Sequence, residues 1–391
     1  MVRVTVQLLI TNKNLIVQGD PLTGWRDLDA TIKFNEPGSG SVTLTAWPEV
    51  MAQLQPGNRM EVIRDGGYWM GGPMEIPTDY TWSISDEGEP DPGRVTINFS
   101  DDLAVPAGYI TWPMPLLSWS AQLNLWKQIG SATSESIIRQ LVTENCGPTA
   151  RAERRIPNFV LADPVGAGTT TSVSTRFEPL LDTCRRVALA GGGIGFRTWR
   201  DGQQIKFGCY QPRDLTSTAR FSQGLGNLRY LGFKQSAPTV THALVAGSDP
   251  ETNGGVGRTF REVADTAAAA AWWRVEKYVD GSEANDDNGE LTNAGKVELA
   301  DGAAPIELST ITIDTPDLKA GRDFGLGDKV TVALPNGLQV ADLVRSIHLQ
   351  ASPTSGEYVS TLVGSAAATT DPQMVQLVRT LSRRLGRLET R

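Results

Sequence analysis

The segment from Ile311 to Gly337, ITIDTPDLKAGRDFGLGDKVTVALPNG, has a degenerate counterpart from Val42 to Gly67. A repeat constrains this chain more than any other feature, because each copy brings its own apolar face that has to be buried. Val42-Thr43-Leu44 aligns with Ile311-Thr312-Ile313, and Pro48-Glu49-Val50 with Pro316-Asp317-Leu318. Gly57-Asn58-Arg59-Met60-Glu61-Val62 aligns with Gly327-Asp328-Lys329-Val330-Thr331-Val332, and two short gaps complete the match. Each copy then reaches a second glycine, Gly67 or Gly337, where an alternating strand would turn back. Each copy thus reads as a strand, a proline-marked excursion, a turn and a hairpin. The pattern predicts two related β-barrel domains in one chain, so that three copies of the chain would present six.

The rest of the chain supports a mainly β architecture with an α+β portion. Short alternating strands fill residues 1–117, with connections expected at Asn35-Glu36-Pro37-Gly38-Ser39-Gly40 and Asp65-Gly66-Gly67. Residues 118–235 read as a small α+β domain. Ser134 is placed to cap a helix whose stripe is Ile137, Ile138, Leu141 and Val142, stopped by Gly147-Pro148. A second helix over Glu178–Ala190 turns Leu180, Leu181, Cys184 and Val187 inward and ends at Gly191-Gly192-Gly193. A hairpin through Asp201-Gly202 follows. The glycine run is not a phosphate cradle, since the order is helix then strand. Residues 236–364 form the second barrel, entered at Val240–Val245, with residues 248–305 as an exposed insertion carrying one helical turn at Ala267–Trp272. Trp112, Trp119 and Trp126 lie where strand gives way to helix and read as an inter-domain seam, with a sugar-stacking surface as the alternative.

Residues 365–391 divide into a small-residue linker and a helix with Asp371 as its cap and Pro372 in its first turn. Met374, Val378, Leu381, Leu385 and Leu388 recur at four- and three-residue steps. That is the a/d seam of a coiled coil, and a helix this short needs partners for it.

Chemistry is sparse. The chain has only two histidines, His242 and His348, and three widely spaced cysteines, Cys146, Cys184 and Cys209, without a CxxC. No HExxH, phosphate loop or nucleophile elbow occurs, so no catalytic residue, metal or cofactor is expected. The acidic runs Asp86-Glu87-Glu89-Asp91 and Glu283-Asp286-Asp287-Glu290 lack the order of a calcium loop and read as solvated tips. A net charge of −8 argues against a duplex-binding protein, and no apolar run is long enough for a membrane helix. These features point to shape and assembly. A wall-degrading enzyme using two carboxylates, or an adhesion module using the tryptophans, are the alternatives.

The stretches LTGWRDLDATIKFNEPGSGSVTL, LLDTCRRVALAGGGIGFRTW, DGQQIKFGCYQPRDLT, FSQGLGNLRYL and FGLGDKVTV together resemble siphovirus tail proteins of actinobacterial phages, within the wider class of tail and baseplate hub proteins. The resemblance implies a homotrimeric hub at the distal end of a phage tail. Two tube-type β-barrels per subunit would match the three-fold hub to the hexameric tail tube. It further implies contacts with a distal tail protein ring, the tape measure protein and tail fibre or tip proteins, and a lumen through which phage DNA passes without specific binding. Some hub proteins carry a hydrolase or receptor-binding extension, whereas the last residues here read as a short helix.

Overall fold

A computed structural model of the chain describes residues 5–364 except 23, 76–78, 83–91, 124, 236, 248–257, 281–288, 304–305 and 355. The first repeat unit contains strands β1 (Gln7–Thr11), β2 (Trp25–Lys33), β3 (Glu36–Thr45), β4 (Arg59–Arg64), β5 (Gly67–Pro73), β6 (Asp79–Thr81) and β7 (Arg94–Ser100). Helix α1 (Pro48–Gln53) follows β3, and α2 (Ala104–Ala107) follows β7. Asp65 and Gly66 both have positive φ, 51° and 76°, which makes the tight turn whose twist suits the β4–β5 hairpin. The β2–β3 turn lies earlier than the sequence suggests. Asn35 takes the left-handed conformation, φ 56°, and Glu36–Gly40 are extended within β3. The buried Asn35 amide explains this, since it donates to the Ile194 carbonyl at 2.9 Å and accepts from the Phe196 N–H at 2.7 Å. Pro37, which has no N–H to give a ladder, sits at the register shift between Thr31 and Lys33.

The middle of the chain supplies β8 (Lys127–Thr133), α3 (Ser134–Asn145), β9 (Phe159–Leu161), β10 (Thr170–Thr175), α4 (Leu180–Ala190), β11 (Gly195–Asp201) and β12 (Gln204–Tyr210). The predicted stripes of both helices are buried in one core with Phe196 and Phe207. The cap of α3 is Thr133, whose Oγ1 accepts from the Ser136 N–H at 3.3 Å. Ser134, expected as the cap, is the first helical residue and donates instead to the Gly191 carbonyl at 3.2 Å. The glycines after α4 close its last turn, with the Gly193 N–H on the Ala188 carbonyl at 2.8 Å.

The second repeat unit comprises β13 (Arg220–Ser222), β14 (Leu228–Gln235), β18 (Ile306–Ile313), β19 (Lys329–Ala333), β20 (Gln339–Ser352) and β21 (Gly356–Val363). Its first two strands thus come from the stretch assigned by sequence to the middle domain. Between β14 and β18 lie β15 (His242–Ala246), β16 (Phe260–Ala264), α5 (Thr266–Ala271), β17 (Glu276–Asp280) and α6 (Glu290–Asp301). The expected exposed insertion is, in its described part, a small α/β unit. The strand expected to open the second barrel, β15, is the central strand of its sheet β16-β15-β17. Val240, Ala243, Val245 and Leu291 form its core, with Val279 and Ala294 packed against it.

The two repeat units share a strand order. In the first, β2, β3 and β7 are neighbours, and β5 joins β7 through the Met74–Phe99 bridge and the Glu75 N–H on the Asn98 carbonyl at 2.8 Å. Beyond the bridge the same run continues as β6 along β7. In the second, β14, β18 and β21 are neighbours, and β20 alone pairs with β21 and β19. β5 and β6 together therefore occupy the place of β20. The registers of the repeated hairpin agree as well: Arg59 faces Pro73 and Met60 faces Gly72, while Lys329 faces Leu343 and Val330 faces Asp342. Gly57 and Gly327 carry matching φ of 81° and 80°. The proline-marked excursions differ in form but not in task. Helix α1 buries Val50 and Leu54, and the irregular 314–324 segment buries Ala320 and Phe324.

The expected barrels are not closed: no sheet among the described residues closes on itself. Strand β1 reaches the segment before β2 only through isolated bonds such as the Leu22 N–H on the Leu8 carbonyl at 2.9 Å. The edge of β2 that closure would require is taken by β20 of the other unit. A single sheet results, in the order β14-β18-β21-β20-β2-β3-β7-β6, with β19 and β13 branching from β20. One continuous core runs beneath both units, from Leu8 and Ile97 to Phe221, Phe324 and Val363.

Candidate functional site

Both histidines are held in structural pairs. His242 is buried, with Nδ1 3.1 Å from Thr241 Oγ1. His348 Nε2 lies 2.7 Å from Asp29 Oδ1, across the strand pair that joins the two repeats. The three cysteines are free and buried, and burial pushes the thiols of Cys146 and Cys209 up to about 12. They are poor nucleophiles at neutral pH. Among the described residues no group of three or more His, Cys, Asp or Glu is placed to hold a metal ion. Asp86, Glu87, Glu89 and Asp91, like Glu283, Asp286 and Asp287, lie outside the described residues, and Glu290 is buried at the start of α6.

The tryptophans make no single stacking platform, and of the three Trp126 lies at a seam: it lines a cavity between the middle domain, with Glu178 and Arg186, and the α6 unit, with Val279 and Asn293. Trp112 lies beneath the Arg154 guanidinium at 4.0 Å and Trp126 beneath Arg176 at 4.5 Å, each cation closing off a ring face. Trp119 is 80% exposed and Leu116 71% exposed, on a surface segment. The seam residues Met374, Val378, Leu381, Leu385 and Leu388 lie outside the described residues.

What the fold does organise is a set of polar clamps between units. Arg64 reaches Glu357 at 3.2 Å and Asp314 at 3.4 Å, tying the first hairpin to the second repeat. Glu61, 2% exposed, accepts from Thr11 Oγ1 at 3.0 Å and pairs with Arg200 of the middle domain. Tyr210 donates to the Leu326 carbonyl at 3.0 Å, and Arg213 pairs with Asp328 at 2.6 Å. Sequence reading missed these partners, because charged residues on strands give no signal of burial until the facing element is known. Between the units lies a cavity of ≈ 410 Å³ lined by Tyr68, Trp69, Arg197, Trp199, Tyr210 and Asp328, with Asp101 on its wall.

Burial raises the Asp101 carboxyl from 3.8 to about 6, against the pull of the Gly38, Leu103 and Ala104 N–H groups. The folded state therefore holds this proton more tightly than the unfolded chain. Its contribution to stability is fully present below about pH 4 and is lost as pH rises to about 6, a change on the order of 3 kcal/mol. Carboxyl-detected NMR titration should find Asp101 half-protonated near pH 6; a midpoint below 4.5 would show that water reaches this carboxyl.

A duplicated sheet scaffold clamped by buried ion pairs, with its histidines and cysteines locked in structural roles, is a fold shared with phage tail proteins. It is similar to the 43 kDa tail protein of prophage MuSo2 from Shewanella oneidensis, with a TM-score of 0.55 at 13% identity over 92% of this chain and 96% of that one. It is similar also to a tail protein of Neisseria meningitidis MC58, with a TM-score of 0.53, 14% identity and coverage of 93% and 96%. A third likeness is to prophage tail protein gp18 of Listeria monocytogenes EGD-e, with a TM-score of 0.50, 12% identity and coverage of 96% and 99%. At such identities the likeness is one of fold. The chain belongs to the siphovirus ReqiPepy6 Gp37-like family of tail proteins, whose model matches residues 6–365. No curated protein matches it.

Proposed function

We propose that this chain is a non-enzymatic hub of the distal siphovirus tail, assembling as a homotrimeric ring that adapts the hexameric tail tube to the tail tip. The observation that carries the reading is the duplication. Two units of one strand order and hairpin register within each chain would give six similar units in a trimer, which is the symmetry match a three-fold hub needs. Its neighbours in this reading are a distal tail protein ring, the tape measure protein and fibre or tip proteins, with a lumen left for DNA. The net charge of −8 favours a lumen to which passing phosphates do not stick. The a/d seam of Met374, Val378, Leu381, Leu385 and Leu388 would add an axial three-stranded coil.

Sedimentation of the purified chain tests the stoichiometry. Three copies of 42.2 kDa make about 127 kDa, and a species that stays at the mass of one chain at micromolar concentration overturns the ring. Leu381→Asp with Leu385→Asp should loosen the trimer, because it places charges in an apolar seam. A double variant that sediments like the parent removes the coil from the proposal. Reproducible turnover of purified peptidoglycan, lost on mutation of one carboxylate, would overturn the non-enzymatic reading.

A further inference from the structure

One face of the β11–β12 hairpin turns away from the core that Phe196 and Phe207 fill, and two glycines shape it. Gly195 faces Tyr210, Arg197 faces Gly208 and Trp199 faces Lys206, so these residues share one side of the pleat. The Tyr210 ring lies over Gly195 and the Trp199 ring over Gly208, where any added Cβ would collide with it. Arg197 has its guanidinium 5.5 Å from the centroid of each of these rings. Two rings thus fix a planar fork of donors in advance. Among the described residues no carboxylate or carbonyl meets that fork.

This face is one wall of the ≈ 410 Å³ cavity between the units, to which Lys33, Tyr68, Trp69 and Gln211 also contribute. A volume of this size takes one small molecule. The negative groups in the wall are already engaged. Asp328 accepts from the Arg213 and Gly325 N–H groups at 2.8 and 2.9 Å and pairs with the Arg213 guanidinium, and Asp101 accepts from the Leu103 N–H at 3.0 Å. The donors are not engaged. Lys33 Nζ, like Arg197, makes no hydrogen bond or ion pair among the described residues. Gln211 accepts the Gly168 N–H through Oε1 at 3.1 Å, while its Nε2 donates to no described residue. We propose that the cavity binds an anionic sugar, a single pyranose ring carrying a carboxylate or a phosphate. Either anion matches the Arg197 fork with two parallel bonds. The C–H face of a pyranose packs against the aromatic walls, and its hydroxyls find a donor in Gln211 and acceptors in the Tyr68 and Tyr210 oxygens. Those phenols donate to the Gly71 and Leu326 carbonyls at 3.2 and 3.0 Å, which leaves their lone pairs available. A purely aromatic body would leave these polar groups unpaired.

The site lies within one chain, so it stands or falls apart from the ring proposed above. Isothermal titration of the full-length chain with glucuronate, glucose monophosphate, glucose and inorganic phosphate reads the ring and the charge separately. The expected result is saturable binding of at least one of the two anionic sugars, about tenfold or more tighter than glucose or inorganic phosphate. The tighter of the two identifies the anion. Arg197→Gln should weaken that binding about tenfold or more and leave the melting curve of the free chain unchanged, because the guanidinium holds no other residue by a hydrogen bond. Lys33→Gln should weaken it in the same direction, and it decides the matter if Arg197→Gln alters folding. Arg151→Gln, which removes a cation paired with Glu153 and outside the cavity lining, should leave binding at the parental level. Glucose that binds as well as the anionic sugars overturns the role of the charge, and inorganic phosphate that does so overturns the sugar. The site itself is overturned by the absence of binding to any probe at about ten millimolar, or by parental affinity in Arg197→Gln and Lys33→Gln.

Discussion

Asp102→Ala should lower the unfolding free energy by about 3–5 kcal/mol, because it leaves the Arg59 guanidinium buried without its counter-charge. The two side chains are paired, with only 9% and 1% of their side-chain surfaces exposed. The pair is not comfortably solvated by the protein. Arg59 Nε and Asp102 Oδ2 find no hydrogen-bond partner, and burial pushes the Asp102 carboxyl up despite the Arg59 charge beside it. Desolvation thus outweighs attraction at the carboxylate. Removing both charges, as Arg59→Met with Asp102→Leu, should consequently cost far less than removing either one, and come within about 1 kcal/mol of the parent or above it. Urea midpoints with matched slopes read both effects. A double variant as damaged as the single would show that this pair contributes net stability to the first unit.

Phe324→Ala should cost about 3–5 kcal/mol, the range for deleting a large ring from a packed core. Phe324 is 2% exposed and meets Phe221 edge-to-face, with ring centroids 5.4 Å apart. Its position explains the expected size. Phe324 sits in the excursion of the second repeat, where the first repeat has helix α1, and it joins the shared core against Phe221 of β13. Phe324→Leu keeps most of the volume and should lose only about 1 kcal/mol. The melting temperatures of the two variants, compared with the parent, check this. Equal losses for Ala and Leu would mean that ring geometry matters more than volume.

Much of this architecture is legible in the residues. The stripes of α3 and α4, the glycine stop after α4 and the Asp65-Gly66 and Asp201-Gly202 turns follow from local periodicity and turn chemistry. The duplication, argued from a few alternating apolar positions and two glycines, corresponds to a shared strand order and hairpin register. The candidate site was less legible. Arg64 with Glu357, Glu61 with Arg200 and Tyr210 with Leu326 join positions 293, 139 and 116 residues apart. Nothing near any one of them in the chain announces the other. Asn35 looks like an ordinary turn residue, and only the arrival of Ile194 and Phe196 shows why the turn tightens there.

By itself, then, the sequence determined which residues alternate, where the chain turns, which helix faces are apolar and that one unit occurs twice, because these are encoded over a few residues by steric and solvent preferences. Only the tertiary structure decided which strand lies beside which. Alternation specifies the buried face of a strand, whereas its two edges carry the same backbone groups whatever the side chains are. Strand β2 could have closed its own barrel by that criterion. It pairs instead with β20, where Asp29 meets His348 and Gln350, and two expected barrels become one open sheet over one core.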